Sequence, residues 1–309
     1  APDNPRSPSQ SPEVLDNKTS LDLMDILANL TNSEEDYMAN LDYAAAEPCH
    51  NHYCTFYQRV APAFLAVTCT AAALATGVLL VALAKRPHAW PHSRMLVAQL
   101  AVGTGLFAAL LPPVAAGIAQ GWRLGAGACK VTHLLWHWSL FAQGLLVGSG
   151  CCSSAWSRWD PRSRRLAVAI WVGALLLAVP AALASGTVAA PQASCVRRSV
   201  DVLSPAYLLH LTFCFCIFLL LPAALLVATL VRWWQRLGWG TGDGASWLFF
   251  VLWAPYSVGL AVDFLLHAGL LQPTCSIFEQ FDYGLGLCEG LGVLHCCLGP
   301  PALLTTRFC

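Results

Sequence analysis

The chain has 309 residues, of which 57% are apolar and 11% charged; an ordinary soluble domain carries about 25% charged residues. That leaves too little charged surface for a soluble globule and too much apolar surface for a disordered chain. The balance of 17 Lys+Arg against 17 Asp+Glu excludes a generally basic nucleic-acid binder, and the composition is that of an integral membrane protein.

Residues 1–58 hold ten of the seventeen acidic side chains and only two basic ones, Arg6 and Lys18. The segment has no apolar run long enough to span a bilayer and reads as a flexible, anionic tail. The chain does not open on a charged n-region followed by an apolar h-region, so a cleavable signal peptide is expected to be absent or already removed. From 59 to 309 charges fall in short clusters between apolar runs. A bilayer core takes about 20 apolar residues per helix, and the runs 60–84, 95–120, 128–156, 166–185, 205–233, 245–271 and 276–304 satisfy that length. The expected fold is an all-α membrane protein, a seven-transmembrane helix bundle with a disordered extracellular N-terminal tail. Prolines 112, 113, 180, 222, 255, 300 and 301 lie inside the runs; a packed membrane bundle tolerates such kinks because neighbouring groups re-satisfy the freed carbonyls.

Orientation follows from the short loops. Lys85, Arg86 and Arg94 follow the first run, Arg158, Arg162, Arg164 and Arg165 the third, and Arg232 and Arg236 the fifth. The opposite loops carry Arg123, Lys130, Arg197 and Arg198. The positive-inside bias places the former loops in the cytoplasm and the tail outside. The sequons at Asn17 and Asn29 agree, since glycan attachment requires lumenal exposure.

Of fourteen cysteines, five fall outside on this topology: Cys49, Cys54, Cys129, Cys195 and Cys275. Bridges persist in that oxidising compartment. A Cys129–Cys195 bridge would pin the loop before the fifth run over the bundle mouth, and Cys275 would tie to Cys49 or Cys54, leaving one of the five over. The other nine read as small apolar fillers. His295-Cys296-Cys297 lacks further ligands at suitable spacing, so no metal site is expected there.

Ionisable residues inside membrane runs are costly and therefore informative. Asp263 falls near the outer end of the sixth run, Glu279 and Asp282 near the outer start of the seventh, and Glu289 deeper in it. Together these carboxylates would meet a cationic peptide end. In the tail, Glu34, Glu35 and Asp36 precede Tyr37, an acidic context that favours tyrosine sulfation, and the anionic arm attracts a basic ligand by its long-range field.

Seven runs, Trp171 in the fourth and Leu252-Trp253-Ala254-Pro255 in the sixth resemble the rhodopsin-type receptor superfamily. Gln99-Leu100-Ala101-Val102-Gly103, Phe141-Ala142-Gln143-Gly144-Leu145-Leu146, Ala184-Ser185-Gly186 and Leu294-His295-Cys296 resemble, more narrowly, the Duffy type of atypical chemokine receptor. Asp36-Tyr37-Met38-Ala39-Asn40-Leu41 and Ala44-Ala45-Ala46-Glu47-Pro48-Cys49 in the tail do so as well. The likeness runs in order from about residue 20 to the end. It implies CC and CXC chemokines as ligands, Tyr37 as the sulfated position, and Glu289, eleven residues before Pro300, as a ligand-contacting glutamate.

The resemblance also exposes what is missing. Signalling members carry Asp-Arg-Tyr at the inner end of the third span, where this chain reads Ser153-Ser154-Ala155. The Asn-Pro-x-x-Tyr of the seventh span reads Gly299-Pro300-Pro301-Ala302-Leu303, and the sodium-site aspartate of the second corresponds to Thr104. A two-state switch needs buried groups that exchange partners, so no productive G-protein partner is expected. The implied output is uptake, transport or buffering of ligand at the plasma membrane and in early endosomes. Homo- and hetero-oligomers stay open as partners besides the lipid bilayer.

A conventional G-protein-coupled peptide or chemokine receptor is the alternative reading and a membrane transporter the second, although no internal repeat supports the latter. A retinal protein is excluded because the only lysines are 18, 85 and 130. Neither an enzyme active site nor a cofactor is expected.

Overall fold

The computed structural model describes residues 52–85, 94–155, 164–188, 193–234, 243–271 and 274–308. Ala1–His50 and Asn51–Cys309 form separate units, and every described residue belongs to the second. Asn17, Asn29, Glu34, Glu35, Asp36, Tyr37 and Cys49 lie outside the described residues.

Among the described residues, seven helical spans are seen. Four are continuous: α1 (Tyr53–Lys85), α2 (Arg94–Gln120), α3 (Gly125–Ala155) and α4 (Arg164–Ala184). The fifth comprises α5 (Pro205–Phe215), a π-helical turn Cys216–Leu220 and α6 (Leu221–Trp234). The turn ends with the Leu221 N–H donating to the Cys216 carbonyl, directly before Pro222, which has no N–H to continue an α-helical ladder. The sixth span is α7 (Asp243–His267); the seventh is α8 (Cys275–Val293) and α9 (His295–Phe308), interrupted at Leu294. Helix α1 starts at Tyr53, ahead of residue 60, so the tail boundary expected at 58/59 falls inside a helix.

Six of the spans are long and apolar enough to cross a membrane. The remaining one, α3, carries His133, His137, Ser139 and Gln143, and it needs less apolar surface because it is the central helix: Ser139 through Gly144 are all buried. The outer helices show the reverse pattern, with Val67, Leu74, Leu176 and Leu287 each about two-thirds exposed or more. Apolar surface on that scale suits lipid rather than water.

Lipid tails are as apolar as leucine, so burial alone does not hold the helices together, and close packing and polar clasps must. Trp253 is fully buried, stacked on Phe218 at 5.8 Å and edge-on to Phe107 at 6.2 Å. Gly292 faces it so closely that an added Cβ would lie 2.7 Å from the indole ring. Two indoles clasp α2, α3 and α4: Trp138 donates to the Trp171 carbonyl at 2.9 Å, and Trp171 donates to Gln99 Oε1 at 3.2 Å.

Two short strands, β1 (Gly186–Val188) and β2 (Ser194–Val196), pair antiparallel with Thr187 opposite Cys195. The buried Trp122 anchors this hairpin from the α2–α3 loop: its backbone N–H donates to the Ala193 carbonyl at 2.6 Å and its indole to the Gly125 carbonyl at 2.9 Å. Gly121 and Gly125, at φ 79° and 80°, supply the left-handed turns that fold Trp122 back.

Candidate functional site

A disulfide joins Cys129, at the start of α3, to Cys195 in β2. It holds the hairpin beside a cavity of about 480 Å³ enclosed by the spans. Tyr53 and Tyr57 line one side, a helical turn apart on α1; His133, Trp136 and His137 come from α3, Tyr207 and His210 from α5, Asp263 and His267 from α7, and Asp282 and Glu289 from α8. Arg197 and Arg198, directly after β2, complete the wall.

Three of the four expected carboxylates, Asp263, Asp282 and Glu289, therefore share one cavity. Glu279 stands outside its wall, where its Oε1 accepts the backbone N–H of His52 at 3.0 Å. Asp263 Oδ2 accepts the Tyr207 hydroxyl at 3.2 Å, while Oδ1 lies 3.2 Å from His267 Nδ1. Glu289 Oε2 lies 3.7 Å from Arg197 Nη2. Two guanidiniums against three carboxylates make the lining one of mixed charge rather than an unopposed acidic field.

Arg197 was not among the residues expected from sequence; it counted only as a loop charge. The disulfide two residues earlier draws it inward, where Nη1 donates to the Tyr256 hydroxyl and the guanidinium lies 5.3 Å from that ring's centre. Partial burial alone would lower its pKa, but the Glu289 carboxylate, followed by Tyr256, outweighs this and holds it above the usual arginine value. The cation is permanent. Arg198 lies 5.7 Å from the centre of the Tyr207 ring, a cation–π arrangement.

Cys275 is disulfide-bonded, and Cys54 carries a free thiol.

Beneath the cavity several polar groups are tied locally, while His295 Nε2 is buried without a hydrogen-bond partner. The Thr104 hydroxyl donates to Gln143 Oε1 at 3.1 Å, and Gln143 Nε2 donates to the Ser139 carbonyl at 3.2 Å. The Trp253 indole N–H points at His295 Nδ1 across 3.1 Å, and the same nitrogen lies 2.7 Å from the Gly292 carbonyl. One nitrogen cannot accept from the indole and donate to the carbonyl at once, so the tautomer decides between them. Pro300 is fully buried in α9, and with Gly299 it borders a small cavity of about 40 Å³ next to Gln143 and His295.

Fold and site define a membrane receptor of the rhodopsin-like, seven-helix type. No protein-family model matches the chain. It is 33% identical to atypical chemokine receptor 1 of Homo sapiens over 309 residues, covering 95% of this chain and 88% of the relative. It is also 33% identical to atypical chemokine receptor 1 of Sapajus apella, covering 93% and 85% respectively. The same protein of Mus musculus is 30% identical, with 88% and 81% covered. The chain belongs to the atypical chemokine receptor 1 family, a family of receptors rather than enzymes.

Proposed function

We propose that this receptor binds CC and CXC chemokines at the cell surface and scavenges, internalises or transports them without activating G proteins. The hairpin end and the N-terminal tail face outward. The tail, glycosylated at Asn17 and Asn29 and sulfated at Tyr37, gathers the basic body of the ligand, and a cationic segment of the ligand enters the cavity.

The observation that carries this reading is the cavity itself, about 480 Å³, with Asp263, Asp282 and Glu289 in its wall beside the disulfide-held hairpin. The family name of the relatives supports the ligand class. Uncoupling is supported by the residues at the inner ends of the spans: Ser153-Ser154-Ala155 supplies no arginine, and Gly299-Pro300 supplies no amide or phenol to exchange partners.

The deciding experiment is a panel of CC and CXC chemokines on expressing cells, paired with nucleotide exchange on G proteins by the purified receptor. Binding across both classes with no exchange and with loss of ligand from the medium is the expected result. Exchange above the ligand-free rate would identify a conventional signalling receptor, and absence of binding would remove the chemokine reading.

A further inference from the structure

Two histidines of the cavity wall and a neighbouring cysteine form a cluster distinct from the carboxylates. His137 on α3 and His210 and Cys214 on α5 are all buried, and one ligand atom from each lies within 4.8 Å of the others. The two imidazoles meet edge to face with ring centres 4.4 Å apart, and Cys214 Sγ lies 3.8 Å from a His210 nitrogen.

His137 shows which atom is waiting. Its Nδ1 lies 2.9 Å from the His133 carbonyl, a contact only an N–H can make favourably. That places the proton on Nδ1 and the lone pair on Nε2, and Nε2 is buried without a hydrogen-bond partner. Metal-binding histidines are prepared in this way, the distal N–H held by a carbonyl and the other nitrogen presented to the ion.

We propose that His137, His210 and Cys214 bind one thiophilic transition-metal ion of the Zn2+ class. Two imidazoles and a thiolate form a donor set these ions favour. Tetrahedral bonds of about 2.0–2.3 Å put donors roughly 3.3–3.6 Å apart, so separations within 4.8 Å close by at most about 1.5 Å through side-chain adjustment. Coordination takes Cys214 as the thiolate and releases its proton to solvent. The ion enters through the cavity, since His137 and His210 line it although Cys214 does not, and three protein donors leave a fourth position of a tetrahedral ion open. Arg197, whose charge acts on this cluster, is paired with Glu289 at 3.7 Å. A second cluster, Cys129, His133 and Cys195, is not a rival because both sulfurs are consumed in the disulfide. The site stands whether or not a chemokine reaches the cavity.

The test uses the full chain in lipid nanodiscs, disulfides intact and without thiol reductant, titrated with Co2+ as a spectroscopic probe. Expected is a sulfur-to-cobalt charge-transfer band that saturates at one equivalent and is abolished by Zn2+. Cys214→Ser, His210→Asn and His137→Asn should each weaken binding at least about tenfold, while Cys69→Ser leaves it unchanged. X-ray absorption of the Zn2+-loaded wild-type chain should show one sulfur and two imidazoles, a result that does not depend on any variant folding. Absence of the band, its persistence in Cys214→Ser, or a zinc shell without sulfur would overturn the proposal.

Discussion

Arg197 Nη2 lies 3.7 Å from Glu289 Oε2 while Nη1 of the same guanidinium donates to the Tyr256 hydroxyl, so the deepest carboxylate in the cavity is already engaged by a cation from the receptor's own hairpin loop. A cationic ligand gains from Glu289 only by displacing or sharing it. Both side chains are partly exposed, 32% and 23%, so the pair is weak enough to exchange; pairs of this kind contribute about 0–1 kcal/mol.

Removing the competitor and removing the target should therefore act in opposite directions. Arg197→Gln is expected to tighten binding of a chemokine by about threefold to fivefold, up to ~1 kcal/mol. Glu289→Gln should weaken it by about tenfold, and the double variant should show the two effects to be non-additive. Equilibrium binding of labelled chemokine to the four receptors measures the coupling. Weaker binding by Arg197→Gln would mean that the arginine contacts the ligand itself.

The position of Arg197 depends on the Cys129–Cys195 bridge two residues before it. Replacing both cysteines by serine should lower unfolding stability by about 2–4 kcal/mol and reduce ligand binding further than Arg197→Gln does, because the whole hairpin is released from α3. Thermal unfolding in detergent, read beside ligand binding, separates the two effects.

The spans were legible because apolar runs of membrane-crossing length are a strong signal, and α2, α4 and α7 lie close to their expected ranges. The start of α1 was not, because Tyr53, Tyr57, Gln58 and Arg59 do not continue an apolar run; Tyr53, Tyr57 and Gln58 line the cavity instead of facing lipid. The hairpin left no period-two signal over strands of three residues, and Arg197 could not be told from a solvated loop charge without knowing the chain was folded inward. The carboxylates Asp263, Asp282 and Glu289 were legible as rare charges in apolar runs, whereas their partners Tyr207 and Arg197 are contacts made across elements. The histidine cluster did leave a trace: His133/His137 and His210/Cys214 are each four residues apart on one helix face, but the proximity of the two helices was needed to join them.

Thr104 and Gln143 occupy the middle of the bundle as a mutually satisfied pair, where an exchanging network would be expected in a switch. Thr104→Val leaves Gln143 Oε1 buried without that donor and should destabilise the receptor by about 1–3 kcal/mol. Replacing both with apolar residues of similar size should recover most of the loss, since no orphaned group is left. Thermal unfolding of the single and double variants tests this, and a double variant as unstable as the single would show that the amide bonds more than its two visible partners.

The acidic tail should act on the rate of encounter more than on the lifetime of the complex. Replacing Glu34, Glu35 and Asp36 with their amides is expected to slow association severalfold at low salt and to flatten its salt dependence, with dissociation changed much less. Stopped-flow or surface-based kinetics at two ionic strengths reads this directly. A change confined to dissociation would instead place these side chains in the final contact.

Gly292 provides the most local test of how α8 and α7 fit together. An added Cβ there would lie 2.7–2.9 Å from three ring atoms of Trp253, and the indole has little room to retreat, being stacked on Phe218 at 5.8 Å and set edge-on against Tyr256 at 5.5 Å. Any shift would also pull the indole N–H away from His295. Gly292→Ala should therefore cost about 1–3 kcal/mol through overpacking, even though alanine favours the helix by about 1 kcal/mol over glycine. Gly284→Ala, in the same helix with nothing within 4 Å of the new carbon, should be neutral or stabilising. Opposite signs in the thermal unfolding of these two variants would confirm that packing against Trp253, rather than helix propensity, sets the requirement for glycine at 292.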